Sequence, residues 1–309
     1  MDFVLNWLVN VPVFAIPFAL AALGLIVTEK SGVLSLGAEG FMLMGAMAAA
    51  GATLLTGNPY LGLLASAVAA SLLSLVFAMM TMTFRVNQVI AGLAIVFLSQ
   101  GLTGLLAVKF GWTNQPVSGL GKLDFGPLAH IPVVGRLFFQ HDLIVYLVVP
   151  IFAAVVYVLS RTMIGLRLRA VGDGPDAADA AGVNVTAYRC GAILAGAMLM
   201  GLAGGYLSVG VAKIWVDGMS GGRGWIAIAL VVFARWQPWR VLLGALLFGG
   251  IEALIPRIAA VGIHAPQYFL LMTPYLATLA VMVWSSLKAK NTFDQPGALG
   301  QPYLREERR

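Results

Sequence analysis

Two carboxylates stand where a carboxylate is costly. Glu39 falls near the start of an apolar run over 33–55, and Glu252 lies inside another, within Gly249-Gly250-Ile251-Glu252-Ala253. An ionisable group in a run of this kind faces a bundle interior, a cavity or a hydrogen-bonding partner. Each could line a polar path or hold an ion, and Glu39 could equally cap a helix start or pair within the bundle. Gly37 and Gly40 flank Glu39 and allow close packing or local unwinding. The amides Asn87, Gln88 and Gln100 form a second polar set, with Gln100 more than three helical turns beyond the other two. Their side chains could bind a polar solute or tie helices together.

A third polar stretch interrupts the apolar pattern over 165–182, Gly165-Leu-Arg-Leu-Arg-Ala-Val-Gly-Asp-Gly-Pro-Asp-Ala-Ala-Asp-Ala-Ala-Gly182. Asp173 and Gly174 suit the cap region of a helix and Pro175 its first residue, while Asp176 and Asp179 sit early, where the helix dipole favours anions. The alanines favour helix, and Gly182 suits its stop. The expected helix has about two turns, too short to span and marginal without packing. It reads either as a surface turn or as a small helix presented to a partner.

Catalytic sets are not visible. Cys190 is the single cysteine, and His130, His141 and His264 fall in expected loops without ligand spacing, so no metal site is expected. There is no G-x-x-x-x-G-K-[ST] phosphate loop and no Ser/His/Asp arrangement. The chain is therefore not expected to hydrolyse ATP or to act as an enzyme.

The elements that must position these residues follow from composition. Of 309 residues, 60% are hydrophobic and 10% charged, whereas a soluble domain carries about a quarter charged residues. So few charges cannot cover a water-facing surface, and the fold class is an all-α membrane protein. Runs of about 20 apolar residues suffice to span. Candidates lie at 5–27, 33–55, 60–84, 86–108, 142–160, 190–211, 223–235, 239–255 and 268–287, a bundle of about nine helices (eight to ten). The run 223–235 is too short for a full crossing and reads as a half-helix or part of a broken one.

The net charge of +6 forms no aromatic-interleaved patch, so nucleic acid is not an expected partner. Its meaning is topological. With the first span running from outside to inside, 13 of the 19 basic residues fall at cytoplasmic ends, Arg223 among the exceptions. The expected topology has the N-terminus outside and the C-terminus cytoplasmic. The N-terminus lacks a basic n-region, so the first span should be retained. Residues 1–290 then form one transmembrane domain, with an external loop over 109–141 and a cytoplasmic loop over 161–189. Trp236 and Trp239 suit an interfacial belt. The tail 291–309 reads as solvated and disordered.

Four stretches, SGVLSLGAEGFMLMGA (31–46), NQVIAGLAI (87–95), GLRLRAVGDGPDAADAAGVNV (165–185) and GRGWIAIALVVFARWQPWRVLLGALLFGG (222–250), resemble the permease subunits of bacterial ABC importers. The match is to the ribose, branched-chain amino-acid and nucleoside branch, nearest to simple sugar and nucleoside permeases. Phe97 departs from the smaller or polar residue expected there. The resemblance implies a coupling helix near 175–182 that docks on a cytoplasmic ATPase, with Gly165, Arg167, Arg169, Gly172, Asp173, Pro175, Ala177, Ala178, Ala181 and Gly182 as the coupling residues. Glu39, Gly37, Gly40, Asn87, Gln88, Gln100 and Glu252, read above from their types and positions, are the candidates for the translocation path. The resemblance also implies ATP and Mg on the ATPase rather than on this chain, a second homologous permease (a heterodimer before a homodimer), an extracytoplasmic solute-binding protein, membrane lipid and residence in the inner membrane. A nucleoside is the favoured solute, then a simple sugar. The alternative is an ion-coupled secondary transporter using Glu39 and Glu252.

Overall fold

The computed structural model describes residues 2–123, 125, 126, 131, 133–260, 272, 273, 275, 276, 279, 280, 283 and 295–303. In hydrocarbon every backbone polar group must be bonded within its own segment, so the apolar runs fold as helices. These are α1 (Asp2–Glu29), α2 (Ala38–Thr56), α3 (Pro59–Ala78, continued by a π-helical stretch Met79–Thr83), α4 (Gln88–Lys109), the short α5 (Val134–Phe138), α6 (Leu143–Arg161), α7 (Met163–Asp173), α8 (Pro175–Ala180), α9 (Val185–Tyr206, continued as π-helix through Leu207–Ala212), α10 (Arg223–Phe233) and α11 (Pro238–Ala260). Seven helical stretches among the described residues are long and apolar enough to cross a membrane: those starting at Phe3, Ala38, Pro59, Gln88, Leu143, Val185 and Pro238.

These seven correspond to seven of the nine spans read from sequence. The eighth, 223–235, is α10, whose 11 residues cover about 16 Å, half of a hydrocarbon core of about 30 Å. The ninth, 268–287, lies largely outside the described residues, as do His130 and His264. Two boundaries differ from expectation. Residues 33–37 are not helical but belong to a buried turn, and α9 begins five residues before the expected 190.

Small residues set the packing. α9 runs through the middle of the bundle against α1, α2 and α3. Gly204 sits directly on the Met42 carbonyl of α2, and Gly45 of α2 meets the Gly201 backbone, contacts that leave no room for a Cβ. Such backbone-to-backbone approach lets dispersion forces work where lipid removes the hydrophobic drive. α11 closes the other side of α1, where Gly249 faces the Ala15 backbone.

The loop after α4 is tied down as well. Asn114 N–H donates to the Trp215 carbonyl at 2.9 Å and Val117 N–H to the Lys213 carbonyl at 2.9 Å, so 112–120 covers the descent of the chain after α9. Asp142 caps α6 by accepting from Ile144 and Val145 N–H and takes the Tyr206 hydroxyl at 2.7 Å. His141 Nε2 is 2.9 Å from the Leu137 carbonyl, a local structural contact. At the opposite end, residues 295–303 of the expected disordered tail are packed, with Ala298 buried and its N–H donating to the Gly172 carbonyl at 2.9 Å. Composition could not foretell this, because the docking partners are backbone carbonyls of other segments.

Candidate functional site

The polar groups inside the bundle converge on the two ends of α10. A helix N-terminus leaves N–H groups without partners and carries the positive end of the dipole. Glu39 supplies what is missing. Its Oε1 accepts from Gly222 N–H at 2.8 Å and its Oε2 from Gly224 N–H at 2.7 Å. The chain reaches this position through Gly218, Gly221 and Gly222, all at positive φ, with Gly222 at 83° in the left-handed region that glycine adopts without strain. Gly224 lies against the Glu39 backbone, where a Cβ would be 2.5 Å from the Glu39 Cα.

Glu252 completes the same end. Arg223, the first residue of α10, places Nε and Nη2 each 3.1 Å from Glu252 Oε2, while its Nη1 donates to the carbonyls of Met219 and Ser220. Both charges are mostly withdrawn from the surface, with side-chain exposures of 22% and 11%. Tyr275 donates to the Gly221 carbonyl at 2.9 Å. The far end of α10 is held by Trp236, whose Nε1 donates to Glu29, a carboxylate that also takes the Ser35 N–H. The half-helix is therefore bracketed by Glu29 and Glu39, the two carboxylates that flank the buried turn 30–37.

Sequence reading missed three of these contributors. Glu29 was given no role from the sequence, yet it is 2% exposed. Trp236 was expected in an interfacial belt but is buried, because its indole N–H is needed by Glu29; Trp239 is exposed and sits beside Phe152. Arg223 was counted in the charge tally without a partner, and the structure pairs it with Glu252. The available signal was the coincidence of one arginine and two carboxylates in otherwise apolar runs.

The other path candidates have separate places. Asn87 accepts from Val89 and Ile90 N–H and caps α4. Gln88 Oε1 accepts from Leu34 N–H at 2.7 Å, tying α4 to the 30–37 turn, while its Nε2 is buried without a partner. Gly37 packs beside Phe41, and Gly40 against Ile95, Val96 and Ser99 of α4. Gln100 lies on the exposed face of α4 together with Phe97, which is 69% exposed.

The polar stretch after α6 forms two helices, not one. α7 begins at Thr162, whose Oγ accepts from Gly165 N–H, and buries Gly165, Leu168, Val171 and Gly172 at helical spacing. Gly165 rests on the α6 backbone and Gly172 on the Lys30 carbonyl, so both serve packing. Arg167 is exposed, while Arg169 Nε bends back toward the Gly165 carbonyl at 3.4 Å. Gly174 ends α7 and starts α8 at Pro175. On α8 only Ala178 is buried, in a small core with Val171 and Val185. Asp173, Asp176, Ala177, Ala180, Ala181 and Gly182 face outward, and Gly182 turns the chain with φ of 81°.

A polytopic helical membrane protein with an anchored half-helix and a short exposed helix between two spans is the class that this geometry defines. Residues 7–282 match the family described as branched-chain amino acid transport system / permease component, and the chain belongs to that family. It is 37% identical to the putative glucose ABC transporter permease protein TsgC13 of Haloferax volcanii, over 93% of this chain and 94% of that protein. It is 34% identical to the guanosine ABC transporter permease protein NupQ of Bacillus subtilis, over 96% and 95% respectively. It is 30% identical to the nucleoside ABC transporter permease protein NupC of Lactococcus lactis, over 88% and 90%. The chain is thus an ABC transporter permease, located in a membrane.

Proposed function

We propose that this permease pairs with a second, homologous permease in the cytoplasmic membrane and forms the path by which a nucleoside, received from an extracytoplasmic binding protein, is imported. ATP and Mg are bound and consumed by cytoplasmic ATPase subunits that dock on α8. The observation that carries this reading is the exposure of α8: it stands on a buried foot, Ala178, and Asp176, Ala177 and Ala180 are exposed among the described residues. Small residues leave a shallow, close-fitting surface for a partner's groove. The end of the bundle where Lys30, Arg169 and Arg189 gather is then cytoplasmic, and the N-terminus is outside.

Alternating access follows from the half-helix. When the ATPases close, α8 is displaced, and α10 is the internal element with least span to anchor it. Gln100 is the path candidate whose side chain is left uncommitted, on the open face of α4. Glu39 and Glu252 hold α10 rather than an ion, since each already has protein donors. The relatives named for guanosine and nucleosides support a nucleoside solute, and the one named for glucose supports a sugar as the second choice.

The test is co-purification and uptake with Ala177→Trp. A bulky ring on the exposed face of α8 abolishes recovery of the ATPase subunits and import of labelled guanosine while the chain itself accumulates normally. Retained ATPase binding with the Trp in place would defeat the docking assignment. Import of glucose in preference to guanosine by the unmodified complex would overturn the solute assignment alone.

A further inference from the structure

Arg189 is the one arginine or lysine side chain sealed almost completely among the described residues: it is 1% exposed, one turn into α9. Its Nη1 donates to the Gln301 carbonyl at 3.1 Å, while Nε and Nη2 have no hydrogen-bond partner. Nη2 lies 3.0 Å from where a Cβ on Gly32 would stand, and Asp176 of α8 and Tyr303 of the tail act electrostatically on the guanidinium. A buried cation with idle donors is costly, so its position is imposed by what is packed around it.

What surrounds it is the tail. Ala298 N–H donates to the Gly172 carbonyl at 2.9 Å and Gly300 N–H to the Gly32 carbonyl at 3.1 Å. Gly297 approaches Asp173 so closely that a Cβ would be 2.8 Å from its carbonyl oxygen. Tyr303 packs on the small core of Val171, Ala178 and Val185. The segment 297–303 thus touches the end of α7, the foot of α8, the turn after α1 and the start of α9. α8 has six residues, too few to keep a position by its own hydrogen bonds.

We propose that residues 297–303, fastened by Arg189, form a strap that positions α8 on the 30–37 turn, so that displacement of α8 moves the turn that carries both anchors of α10. This rests on the docking of an ATPase at α8. Arg189 and the strap residues are positioning residues and touch no solute. Without the strap, α8 still presents its exposed face but moves independently of the turn.

Two readouts test it. In the chain alone, with Cys190→Ser, spin labels at Ala180→Cys on α8 and Phe84→Cys beyond α3 report their separation. The expected result is one narrow distance with the strap intact and a broad distribution after Ala298→Glu, which forces a charge into a buried site. In the reconstituted transporter, Ala298→Glu lowers guanosine imported per ATP hydrolysed by about 5-fold or more, the lower end of a typical site-to-site coupling, while ATPase co-purification persists. Arg189→Lys, which still donates to Gln301, retains more of this ratio than Arg189→Met. The ratio does not depend on the amount of complex, so a poorly accumulating variant is still informative. An unchanged distance distribution overturns the strap, and so does a broadened one with unchanged transport per ATP. If no ATPase binds the unmodified chain, the proposed function has failed, and the distances alone judge the strap.

Discussion

α10 and α8 are both short helices that cannot stand alone, and the protein treats them in opposite ways. α10 is wrapped. Its N-terminal N–H groups are satisfied by Glu39, its first side chain is paired with Glu252, and its far end is pinned to Glu29 through Trp236. α8 is held by one buried alanine and by the chain segments beneath it, and its outer face is exposed among the described residues. The difference teaches where charge does structural work inside the bundle and where it faces water. Inside the bundle an unmet charge or N–H has no water to turn to, and Glu29, Glu39 and Glu252 are each tied to a donor. On α8 Asp176 is exposed to water and costs little.

Substitutions can break this contrast, and the largest effect is expected at Glu252. Glu252→Ala leaves Arg223 uncompensated in the bundle and lowers stability by about 3–5 kcal/mol, read as a loss of thermal stability in detergent. Combining it with Arg223→Met recovers much of that loss, and a double mutant as unstable as the single would remove the ion pair from the account. Glu39→Ala strips two N–H groups of their charged acceptor and costs about 2–3 kcal/mol, with import lost as the start of α10 frees itself. Gly224→Ala places a methyl against the Glu39 backbone and costs about 1–3 kcal/mol by overpacking; a fully stable Gly224→Ala protein would show that α10 is looser than its contacts indicate. Asn87→Ala removes the α4 cap for about 1 kcal/mol. Ala177→Trp sits at the end of this scale, within about 0.5 kcal/mol in stability, yet it is expected to abolish the proposed ATPase binding. Stability and coupling should therefore respond to different residues, and thermal melts with pull-downs of the same variants separate them.

Glu39 and Glu252 show how far sequence reading reached. Their position within apolar runs marked them as facing the bundle interior, a cavity or a hydrogen-bonding partner, because that follows from the cost of charge in hydrocarbon. The identity of the partners did not follow. Gly222, Gly224 and Arg223 lie some 180 residues from Glu39 or 30 from Glu252, and nothing local links them. The helix α8 was legible from Pro175, its alanines and Gly182, whereas α7 was not, because Arg167 and Arg169 masked a buried stripe that appears only once α6 and the 30–37 turn are in place.

The sequence by itself determined the membrane class, the spans and their family, since length, hydropathy and local motifs are properties of contiguous residues. It also determined that 223–235 could not cross a bilayer unaided. Only the tertiary structure decided that the interior carboxylates bracket this half-helix, that Trp236 is an anchor rather than a belt residue, and that residues 295–303 are docked. These outcomes depend on which backbone N–H and C=O groups are left unmet after all the helices have packed, and distant segments settle that together.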